Sequence, residues 1–384
     1  MAEHQAEVSA SARELAREVL IHGPISRAEL GRRLGLSPAS LTRLSKPFLD
    51  RGWFIEASET VQGATGRPAK PLDVQVDSRR FVGVKLTGES AFGVITDLRA
   101  GALDQDERRL ATHDVDAVVA AVADLVAGLR DGAGDGADVS GLGVSIGGNV
   151  AEQRIVTRAP FLGWRDVALA ERLERELGMP VTVENDVTAL TTAEQWFGAV
   201  RGRPAFAVVT IGAGVGYGLV VHDRVITTPD SGLGLGGHLP LDPNGPLCGD
   251  GHRGCSTAML SIPSITAQLG IALGHEVDYD EVLRLAREGH PLAVSVTTAA
   301  GRALGRMMAG IANIAMVDTI VLSGEGVGLW SVVGDVALAA LAEDRDPEAT
   351  PVEVHVDDAG FVSWARGAAA VAIQAALGRL RLPA

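Results

Sequence analysis

Apolar positions in the first fifty residues recur three and four apart, which is the period of an amphipathic helix. The spacing predicts a helix over residues 11–21 and a later helix with Ser37 as its N-cap and Pro38 in its first turn. Their buried faces are expected to be formed by Leu15, Val19, Leu20, Leu41, Leu44, Phe48 and Leu49. Pro47 lies inside the later run, where proline tends to kink a helix.

A shorter helix is predicted between these two. Ser26 is expected to cap the amide of Glu29, and the Glu29 side chain to reach back to the Ser26 amide, as in a capping box. Ile25 and Leu30 flank the cap as a hydrophobic staple, and Gly35 ends the helix. Helix, glycine-containing turn and helix over this short distance is the helix-turn-helix pattern.

The pattern becomes strand-like after Gly52. Residues 53–56 and 72–76 are expected to be two strands, and residues 63–68 form a glycine-rich tip that includes Arg67. Two strands with such a tip make a wing. We therefore predict a winged helix-turn-helix domain over residues 1–80.

Beyond residue 80, short apolar strands alternate with amphipathic helices, which predicts an α/β fold. The expected strands are residues 81–86, 91–97, 142–146, 181–184, 205–211, 218–222 and 319–323. The expected helices are residues 117–129, 167–176, 187–197, several across 261–315, and 365–378.

Charge is distributed unevenly along the chain. The 384 residues carry a net charge of −14. Residues 1–80 hold 12 Lys or Arg and 10 Asp or Glu, a net of +2, so the remainder carries −16. A basic head on an acidic body is typical of a nucleic-acid-binding module joined to a domain with another task, but a solvated face with chance charge variation gives the same balance.

Targeting signals are not evident in the sequence. The N-terminus lacks the apolar core of a signal peptide, and no uninterrupted apolar run reaches the roughly 18–20 residues that span a bilayer. Cys248 and Cys255 are the two cysteines and do not make a disulfide framework. We therefore expect a cytoplasmic protein with no membrane partner.

The exposed side of the helix after Ser37 is the candidate DNA-binding surface. Arg43 is expected to bind a guanine edge through two hydrogen bonds, and Lys46 to contact phosphate. Arg67 suits the minor groove and Lys70 the DNA backbone. The expected DNA contacts are Ser37, Ala39, Ser40, Thr42, Arg43, Lys46, Arg67 and Lys70. A small helical bundle for protein contacts is the alternative, which the basic excess and the wing disfavour.

These features resemble the ROK family of repressors, open reading frames and sugar kinases. The resemblance rests on residues 19–37 and 66–68 of the head and extends over nearly the whole chain. It implies an actin-like, sugar-kinase-like body of two α/β lobes. The small lobe would be residues 81–200, completed by a C-terminal helix over residues 365–384, and the large lobe residues 201–364.

The first phosphate loop departs from the family pattern. Kinases of the family carry Asp-x-Gly-Gly-Thr after the first strand, and that Asp organises Mg²⁺. Here residues 84–90 read Val-Lys-Leu-Thr-Gly-Glu-Ser, with Lys85 in place of the acid. An ammonium group undermines the charge neutralisation that phosphoryl transfer needs. We therefore expect no enzymatic activity and no bound ATP or Mg²⁺, with the glycine-rich residues 210–216 serving as scaffold.

The sugar site of the family is partly kept. Asn185 and Asp186 end a Glu-Asn-Asp match whose Asn and Asp bind sugar hydroxyls, and His238 matches a further contact. The resemblance thus implies Asn185, Asp186 and His238 as effector-binding residues. Leu235 and Thr257 stand where the family has acidic contacts. The residues themselves leave open that Asn185 and Asp186 only cap the following helix.

A zinc pattern gives the most specific spacing. His238 and residues 248–255 match the family's His and Cys-x-Cys-Gly-x-x-Gly-Cys, except that Asp250 replaces the middle Cys. The resemblance implies zinc held by His238, Cys248, Asp250 and Cys255, with His252 as the substitute fourth ligand. Zinc accepts such thiolate, imidazole and carboxylate ligands tetrahedrally. A lapsed site with two free thiols is the alternative.

We therefore expect a sequence-specific, DNA-binding transcriptional regulator, a repressor of genes for carbohydrate uptake or breakdown. It would bind a palindromic operator in double-stranded DNA as a homodimer or homotetramer and respond to a sugar or sugar derivative. Two alternatives stay open. One is an active sugar kinase with a DNA-binding appendage, and the other is a DNA-binding regulator that responds to no effector.

Overall fold

The computed structural model confirms an α/β protein. The described residues are 5–7, 9–57, 70–132, 139–379 and 381–383. They fall into two compact units. The first contains the described residues up to Gly202 together with those from Ala365 onward, and the second contains Arg203–Trp364.

Helices and strands alternate along most of the chain. The helices are α1 (Ala10–His22), α2 (Arg27–Leu34), α3 (Pro38–Asp50), α4 (Val115–Gly132), α5 (Leu169–Leu177), α6 (Asp186–Phe197), α7 (Ser256–Leu260), α8 (Ile262–Leu273), α9 (Tyr279–Arg287), α10 (Pro291–Ala315), α11 (Trp330–Glu343) and α12 (Phe361–Arg379). The strands are β1 (Gln5–Glu7), β2 (Phe54–Glu56), β3 (Leu72–Val74), β4 (Arg80–Leu86), β5 (Ser90–Thr96), β6 (Ala102–Arg109), β7 (Val139–Ile146), β8 (Asn149–Ala151), β9 (Ile155–Ala159), β10 (Trp164–Val167), β11 (Val181–Asn185), β12 (Phe206–Ile211), β13 (Val215–Val221), β14 (Arg224–Val225), β15 (Thr319–Ser323), β16 (Glu353–Val356) and β17 (Arg381–Pro383).

Helices α1, α2 and α3 with strands β2 and β3 form the head, and the three helices agree with the sequence expectation. Ser26 Oγ accepts a hydrogen bond from the Glu29 amide at 3.1 Å, and Ser37 Oγ accepts one from the Ser40 amide at 3.2 Å. Gly35 ends α2 in the left-handed region at φ 62°, where a side chain would be strained. These local signals fix where α2 and α3 begin and the turn between them.

One half of the predicted capping box is wrong. The Glu29 carboxylate accepts a hydrogen bond from Arg33 Nε at 2.8 Å and pairs with Arg32, instead of reaching back to Ser26. Residues three and four apart on a helix lie on the same face, so these two arginines compete with the Ser26 amide for the carboxylate.

The structure describes the two strands at the base of the predicted wing. Strands β2 and β3 pair antiparallel, with Phe54 opposite Val74 and Glu56 opposite Leu72. The returning strand ends at Val74, earlier than predicted, because a 3-10 turn begins at Val76. Residues 58–69, which include the predicted tip contact Arg67, lie outside the described residues.

The head shares one apolar core with the rest of the first unit. Residues of α1, α3, β2 and β3 pack with side chains that come from outside the head: Phe81, Leu98, Ala100, Trp196, Ala372, Ile373 and Leu377. Arg99 adds polar contacts, since its Nη2 donates to the Gly23 carbonyl at 2.8 Å and to the Asp73 carboxylate at 2.5 Å. The head is therefore docked on this unit through its core.

The main sheet of the first unit has the strand order β11-β7-β4-β5-β6. Strands β4, β7 and β11 are parallel, so their carboxyl ends meet at one edge, where ligands of open α/β sheets bind. Helix α12 packs closely on this sheet, because a Cβ on Gly83 would lie 2.0 Å from the Ala365 oxygen and one on Gly143 would lie 1.8 Å from the Ala368 oxygen.

Helix α12 is also long and apolar enough to cross a membrane by length and composition. Most of that stretch is buried inside the structure. Its buried residues include Ala365, Ala369 and Ile373. An apolar helix enclosed in this way is the core helix of a folded unit.

The strands of the first unit that were not anticipated from the sequence include β6, β8, β9 and β10. Strand β6 is an edge strand with mostly exposed, charged residues, so it lacks the apolar alternation that reveals a strand. Strands β8, β9 and β10 form a small separate sheet in the order β10-β9-β8. These strands are only three to five residues long, too short for a period to be evident.

The second unit has a five-stranded sheet in the order β14-β13-β12-β15-β16. Helices α7 to α11 contribute to its core, in which α10 supplies many of the buried residues. The predicted strands over residues 205–211, 218–222 and 319–323 correspond to β12, β13 and β15. Helix α11 and strands β14 and β16 were not predicted.

Candidate functional site

Helix α3 presents a polar face to solvent. Leu41 and Phe48 are buried and Leu44 is half-buried, while Arg43 and Lys46 are exposed. The remaining predicted contacts at the start of this face are Ser37, Ala39 and Thr42, which are exposed, and Ser40, which is half-buried. A solvent-facing stripe with two cations and small residues is the form that a recognition helix needs to enter the major groove.

Several of the small side chains on this face have local partners. Ser37 Oγ lies 3.0 Å from Ser40 Oγ, and Thr42 Oγ1 donates to the Pro38 carbonyl at 3.0 Å. At the base of the wing, Lys70 is exposed and its Nζ lies 3.7 Å from Glu56 Oε2. A surface pair of this length is weak, so Lys70 keeps access to an outside phosphate.

In the first unit, Lys85, which departs from the kinase pattern, contacts Asp186, which matches it. Lys85, near the end of β4, donates from Nζ to Oδ2 of Asp186, the first residue of α6. Both side chains are largely buried, at 8% and 13% exposure. The Lys85 ammonium therefore pairs with the carboxylate that the family resemblance implies as a sugar contact.

Asn185 is committed to holding the start of α6. Its Oδ1 accepts from the Thr188 amide at 3.0 Å and from Thr188 Oγ1 at 3.3 Å. Its Nδ2 donates to the Gly148 carbonyl at 2.9 Å and to Asp186 Oδ1 at 3.1 Å. These four bonds fill the hydrogen-bonding capacity of an amide, so the capping role applies to Asn185.

Both carboxylate oxygens of Asp186 have partners within the protein. Its Oδ1 accepts from Asn185 and, at 2.9 Å, from the Val187 amide. Its Oδ2 accepts from Lys85 and faces Gly147, where an added Cβ would lie 3.3 Å from Oδ2. The same Cβ position lies 3.3 Å from Cδ2 of Phe161, so Gly147 separates the carboxylate from an aromatic ring. We call Lys85, Gly147, Phe161 and Asp186 the Lys85 site.

Glu184, the residue before Asn185, has a half-buried side chain. Burial raises the pKa of Glu184 above its ordinary value, although Gln153 Nε2 donates to it at 3.0 Å and the Asn185 amide donates at 2.8 Å. Glu184 thus accepts two hydrogen bonds near the end of β11.

The second glycine-rich loop lies in the second unit, and one of its backbone amides is hydrogen-bonded to a glutamate side chain. The Ala213 amide donates to Glu325 Oε1 at 2.8 Å. A Cβ on Gly212 would lie 2.3 Å from the Glu325 carboxylate, so the glycine is needed for this approach. Backbone amides of such loops are the groups that bind phosphate oxygens, and here one of them is used by Glu325.

The predicted zinc residues converge in the second unit. His238 Nδ1 lies 3.8 Å from Cys248 Sγ and 3.6 Å from Cys255 Sγ, and His252 Nδ1 lies 3.6 Å from Cys248 Sγ. Ligand atoms of His238, Cys248 and His252 all lie within 4.8 Å of one another. Tetrahedral zinc with bonds of about 2.0–2.3 Å places sulfur and nitrogen ligands about 3.6 Å apart, so the distances of His238 to both thiols and of His252 to Cys248 fit the metal.

Asp250 lies on the outer side of the His238 ring. Its Oδ2 is 3.3 Å from His238 Nε2, whereas both thiols face Nδ1. A carboxylate on the far nitrogen of a zinc-binding histidine orients the ring and strengthens it as a ligand. The arrangement therefore favours His252, the substitute in the sequence expectation, over Asp250 as the fourth ligand.

Thr257 and Leu235 stand where the family has acidic sugar contacts. Thr257 Oγ1 donates to the Gly237 carbonyl at 2.7 Å, next to His238 in sequence. Leu235 is 65% exposed. Sequence reasoning missed Glu325 and Phe161 because neither belongs to a local motif, and only the fold brings them to these sites.

A helix-turn-helix head on a two-unit α/β body is the class of protein that these features define. The model of the ROK family matches residues 81–375. Among curated proteins, the DNA-binding transcriptional repressor Mlc of Escherichia coli strain K12 is 25% identical over 373 residues, covering 92% of this chain and 90% of Mlc. A glucokinase of Thermotoga maritima is 32% identical over 207 residues, covering 50% of this chain and 65% of the enzyme.

A solved structure agrees over nearly the full length. The crystal structure of a ROK family transcriptional regulator, a homologue of the E. coli protein, matches with a TM-score of 0.80 and 25% identity over 96% of both chains. The chain belongs to the ROK family. The expected sugar-kinase-like body and helix-turn-helix head are confirmed.

Proposed function

We propose that this chain is a DNA-binding transcriptional repressor whose kinase-like body senses a sugar and transfers no phosphate. The observation that carries the proposal is the exposed polar face of α3 on a head that shares its core with the body. The resemblance to Mlc over the head as well as the body supports it, since a kinase has no need of the head.

The loss of phosphoryl transfer follows from two internal charges. Lys85 brings a positive charge to the place where the family kinases hold a metal-binding carboxylate, and it pairs with Asp186. Glu325 brings a negative charge to the amide of the second phosphate loop. Phosphoryl transfer needs a metal and free loop amides around the phosphates, so both changes oppose it.

Strand β4 and helix α6 both extend from the Lys85 site to the core under the head. Strand β4 carries Lys85 near one end and Phe81 near the other, and α6 begins at Asp186 and carries Trp196 near its far end. Phe81 and Trp196 are buried in the core that they share with α1 and α3. A ligand that separates or tightens Lys85 and Asp186 would shift two elements that pack directly under the head.

Such a shift regulates DNA binding only if the sugar binds the DNA-competent and incompetent arrangements with different affinity. In the proposed form, two copies of the chain present two α3 helices to the half-sites of a palindromic operator in cytoplasmic DNA. A sugar then changes the population of the arrangement in which both heads fit.

Zinc has a structural role in this proposal. His238, Cys248, His252 and Cys255 would hold the ion, and Asp250 would orient His238. The metal would supply cross-links between the turn of His238 and the loop over residues 248–255. Metal analysis tests this: His252→Ala and Cys248→Ser should lose bound zinc, and Asp250→Ala should keep it with about 10–100-fold weaker affinity. Zinc loss in Asp250→Ala with retention in His252→Ala would contradict the ligand assignment.

Selection of genomic DNA tests the DNA-binding part. The purified full chain is mixed with fragmented DNA from its own source organism, and the retained fragments are sequenced. We expect a few fragments that share a dyad-symmetric motif. Arg43→Ala should lose discrimination at one base pair of each half-site, whereas Arg13→Ala, an exposed arginine on α1, should select the same fragments. Uniform recovery of all fragments would overturn the proposal.

A further inference from the structure

A cavity of about 250 Å³ lies in the second unit beside helix α10. One wall is a single face of that helix, and the other is the loop over residues 241–244. The lining includes Asp242, Asn244, Ala299, Arg302, Ala303 and Arg306. It shares no residue with the Lys85 site or with the predicted zinc ligands, so neither of those sites accounts for it.

The α10 wall combines small apolar residues with two arginines. Ala303 is buried and Ala299 is half-buried, while Arg302 and Arg306 are exposed. Residues four apart on a helix lie on the same side, so the two guanidinium groups repel each other. An anion bound by both arginines relieves this repulsion.

The polar side chains at this cavity have spare hydrogen-bond donors. Arg306 donates from Nη1 to the Leu241 carbonyl at 2.9 Å, and its Nε lies 4.0 Å from Asp344 Oδ2. A guanidinium group has five N–H donors, so Arg306 keeps donors for a ligand. Arg302 and the side-chain amide of Asn244 have no hydrogen-bond or ion-pair partner among the described residues.

The loop wall is held in place by its own hydrogen bonds. The amides of Leu241 and Asp242 both donate to the Gly254 carbonyl, at 2.9 and 3.0 Å. The Gly245 amide donates to the Asp242 carbonyl at 3.1 Å, and the Asn244 amide donates to Asp242 Oδ1 at 2.9 Å. A wall that is already ordered loses little conformational freedom when a ligand binds.

Charge and size restrict which ligands fit. The lining carries two cations, Arg302 and Arg306, and one carboxylate, Asp242. Guanidinium groups bind carboxylate and phosphate groups through paired N–H bonds, and a carboxylate accepts hydrogen bonds from hydroxyl groups. The volume is below the roughly 300–1,000 Å³ of sites for drug-sized ligands, so the ligand is small.

We infer that the cavity between α10 and the loop over residues 241–244 binds a small hydroxylated oxyanion, either a phosphate monoester or a hydroxycarboxylate. Arg302 and Arg306 bind the oxyanion group, and the Asn244 side chain donates to it. Asp242 accepts a hydrogen bond from a hydroxyl group of the same ligand. This second ligand site goes beyond the proposed sugar sensing and does not depend on it.

Titration calorimetry with the full-length protein tests the inference, in a buffer free of phosphate, sulfate and carboxylate. The probes are glycerol 3-phosphate, D-glycerate and glycerol, used up to about 10 mM, where a millimolar site is nearly saturated. We expect at least one of the two anions to bind once per chain and glycerol not to bind, and the tighter anion identifies the oxyanion group. Binding of neither anion, or equal binding of glycerol, would overturn the inference.

An arginine variant with a matched control locates the binding. Arg302→Ala should weaken the bound anion by about tenfold or more, because charge-assisted hydrogen bonds are lost. Arg224→Ala removes the same charge from β14, where the side chain is exposed and likewise has no partner among the described residues, and it should bind like the parent protein. Equal weakening in both variants would show a general effect of net charge and overturn the site, as would unchanged affinity in Arg302→Ala.

A cavity-filling variant tests the location without any change of charge. Ala299→Leu adds three carbon atoms to a half-buried position on the α10 wall, so it should also weaken the anion by about tenfold or more. Parent-like affinity in a folded Ala299→Leu protein would mean that the anion binds outside this cavity and would overturn the inference.

Discussion

Strand β4 and helix α6 each carry one residue of an ion pair near one end and a large buried aromatic residue near the other. At the Lys85 site they hold the ion pair of Lys85 with Asp186, in which both side chains are largely buried. At the opposite ends, Phe81 and Trp196 are fully or nearly fully buried against the head. In the proposed mechanism, a ligand acts at the ion pair and the shared core passes the effect to the head, since a packed core moves as a body instead of deforming locally.

Substitution of Trp196 is expected to have the largest effect on stability. Trp196→Ala removes a buried side chain from the shared core and should cost about 4 kcal/mol of unfolding free energy. It should also weaken DNA binding, because the core supports α1 and, through it, α3. Chemical denaturation and DNA titration measure both effects.

Trp330, half-buried in the second unit, supplies the control for Trp196. Trp330→Ala should lower stability but leave the DNA affinity of the folded protein unchanged. If Trp196→Ala binds DNA as tightly as the parent protein, the shared core does not support the head in the way described.

Breaking the ion pair of Lys85 with Asp186 is expected to have the next largest effect on stability. Lys85→Met leaves Asp186 without its buried partner and should cost about 3 kcal/mol, the lower end of the range for such losses because both groups keep a little exposure. The double variant Lys85→Met with Asp186→Asn should recover part of the loss, since no lone charge remains. Urea unfolding of the single and double variants checks this, and equal stability of Lys85→Met and the parent protein would show that the pair is not buried.

The α3 face should behave in the opposite way, with function lost and stability kept. Lys46→Ala should weaken binding to all DNA sequences and reduce the slope of log affinity against log salt by about one. Its unfolding free energy should stay within about 0.5 kcal/mol of the parent value, since the side chain is exposed. A salt slope that does not change would mean that Lys46 contacts no phosphate.

Glu184 gives the smallest effect. Its pKa is raised by burial, so the folded state holds the proton more tightly than the unfolded state. Its contribution to stability is complete in acid and is lost as the pH rises through the raised pKa. Glu184→Gln should therefore gain stability relative to the parent protein as the pH is raised from acid to neutral, and denaturation at several pH values would detect it.

The sequence predicts features that depend on neighbours along the chain. Ser26, Ser37 and Gly35 mark helix ends through bonds within three residues, so the head was correctly placed. Lys85 was recognised because its position in a motif is local. The tip contact Arg67 stays a prediction, as do the roles of Arg43 and Lys46.

The remaining features depend on long-range contacts that no local pattern contains. The pairing of Lys85 with Asp186 joins residues 101 positions apart, and that of Ala213 with Glu325 joins residues 112 apart. The distinction between Asp250 and His252 depends on the fold, which places Asp250 against Nε2 of His238 and His252 against the Cys248 thiol. Docking of the head through Trp196 and Ile373 likewise requires the folded unit.

The most direct test measures the affinity for one selected DNA fragment with and without each of several monosaccharides, such as D-glucose, D-xylose and N-acetyl-D-glucosamine. The account predicts that saturating sugar changes the DNA affinity of the parent protein by roughly 5–150-fold, the usual range of coupling between two sites. A parent protein that binds the sugar and shows the same DNA affinity in its presence and absence would contradict the account.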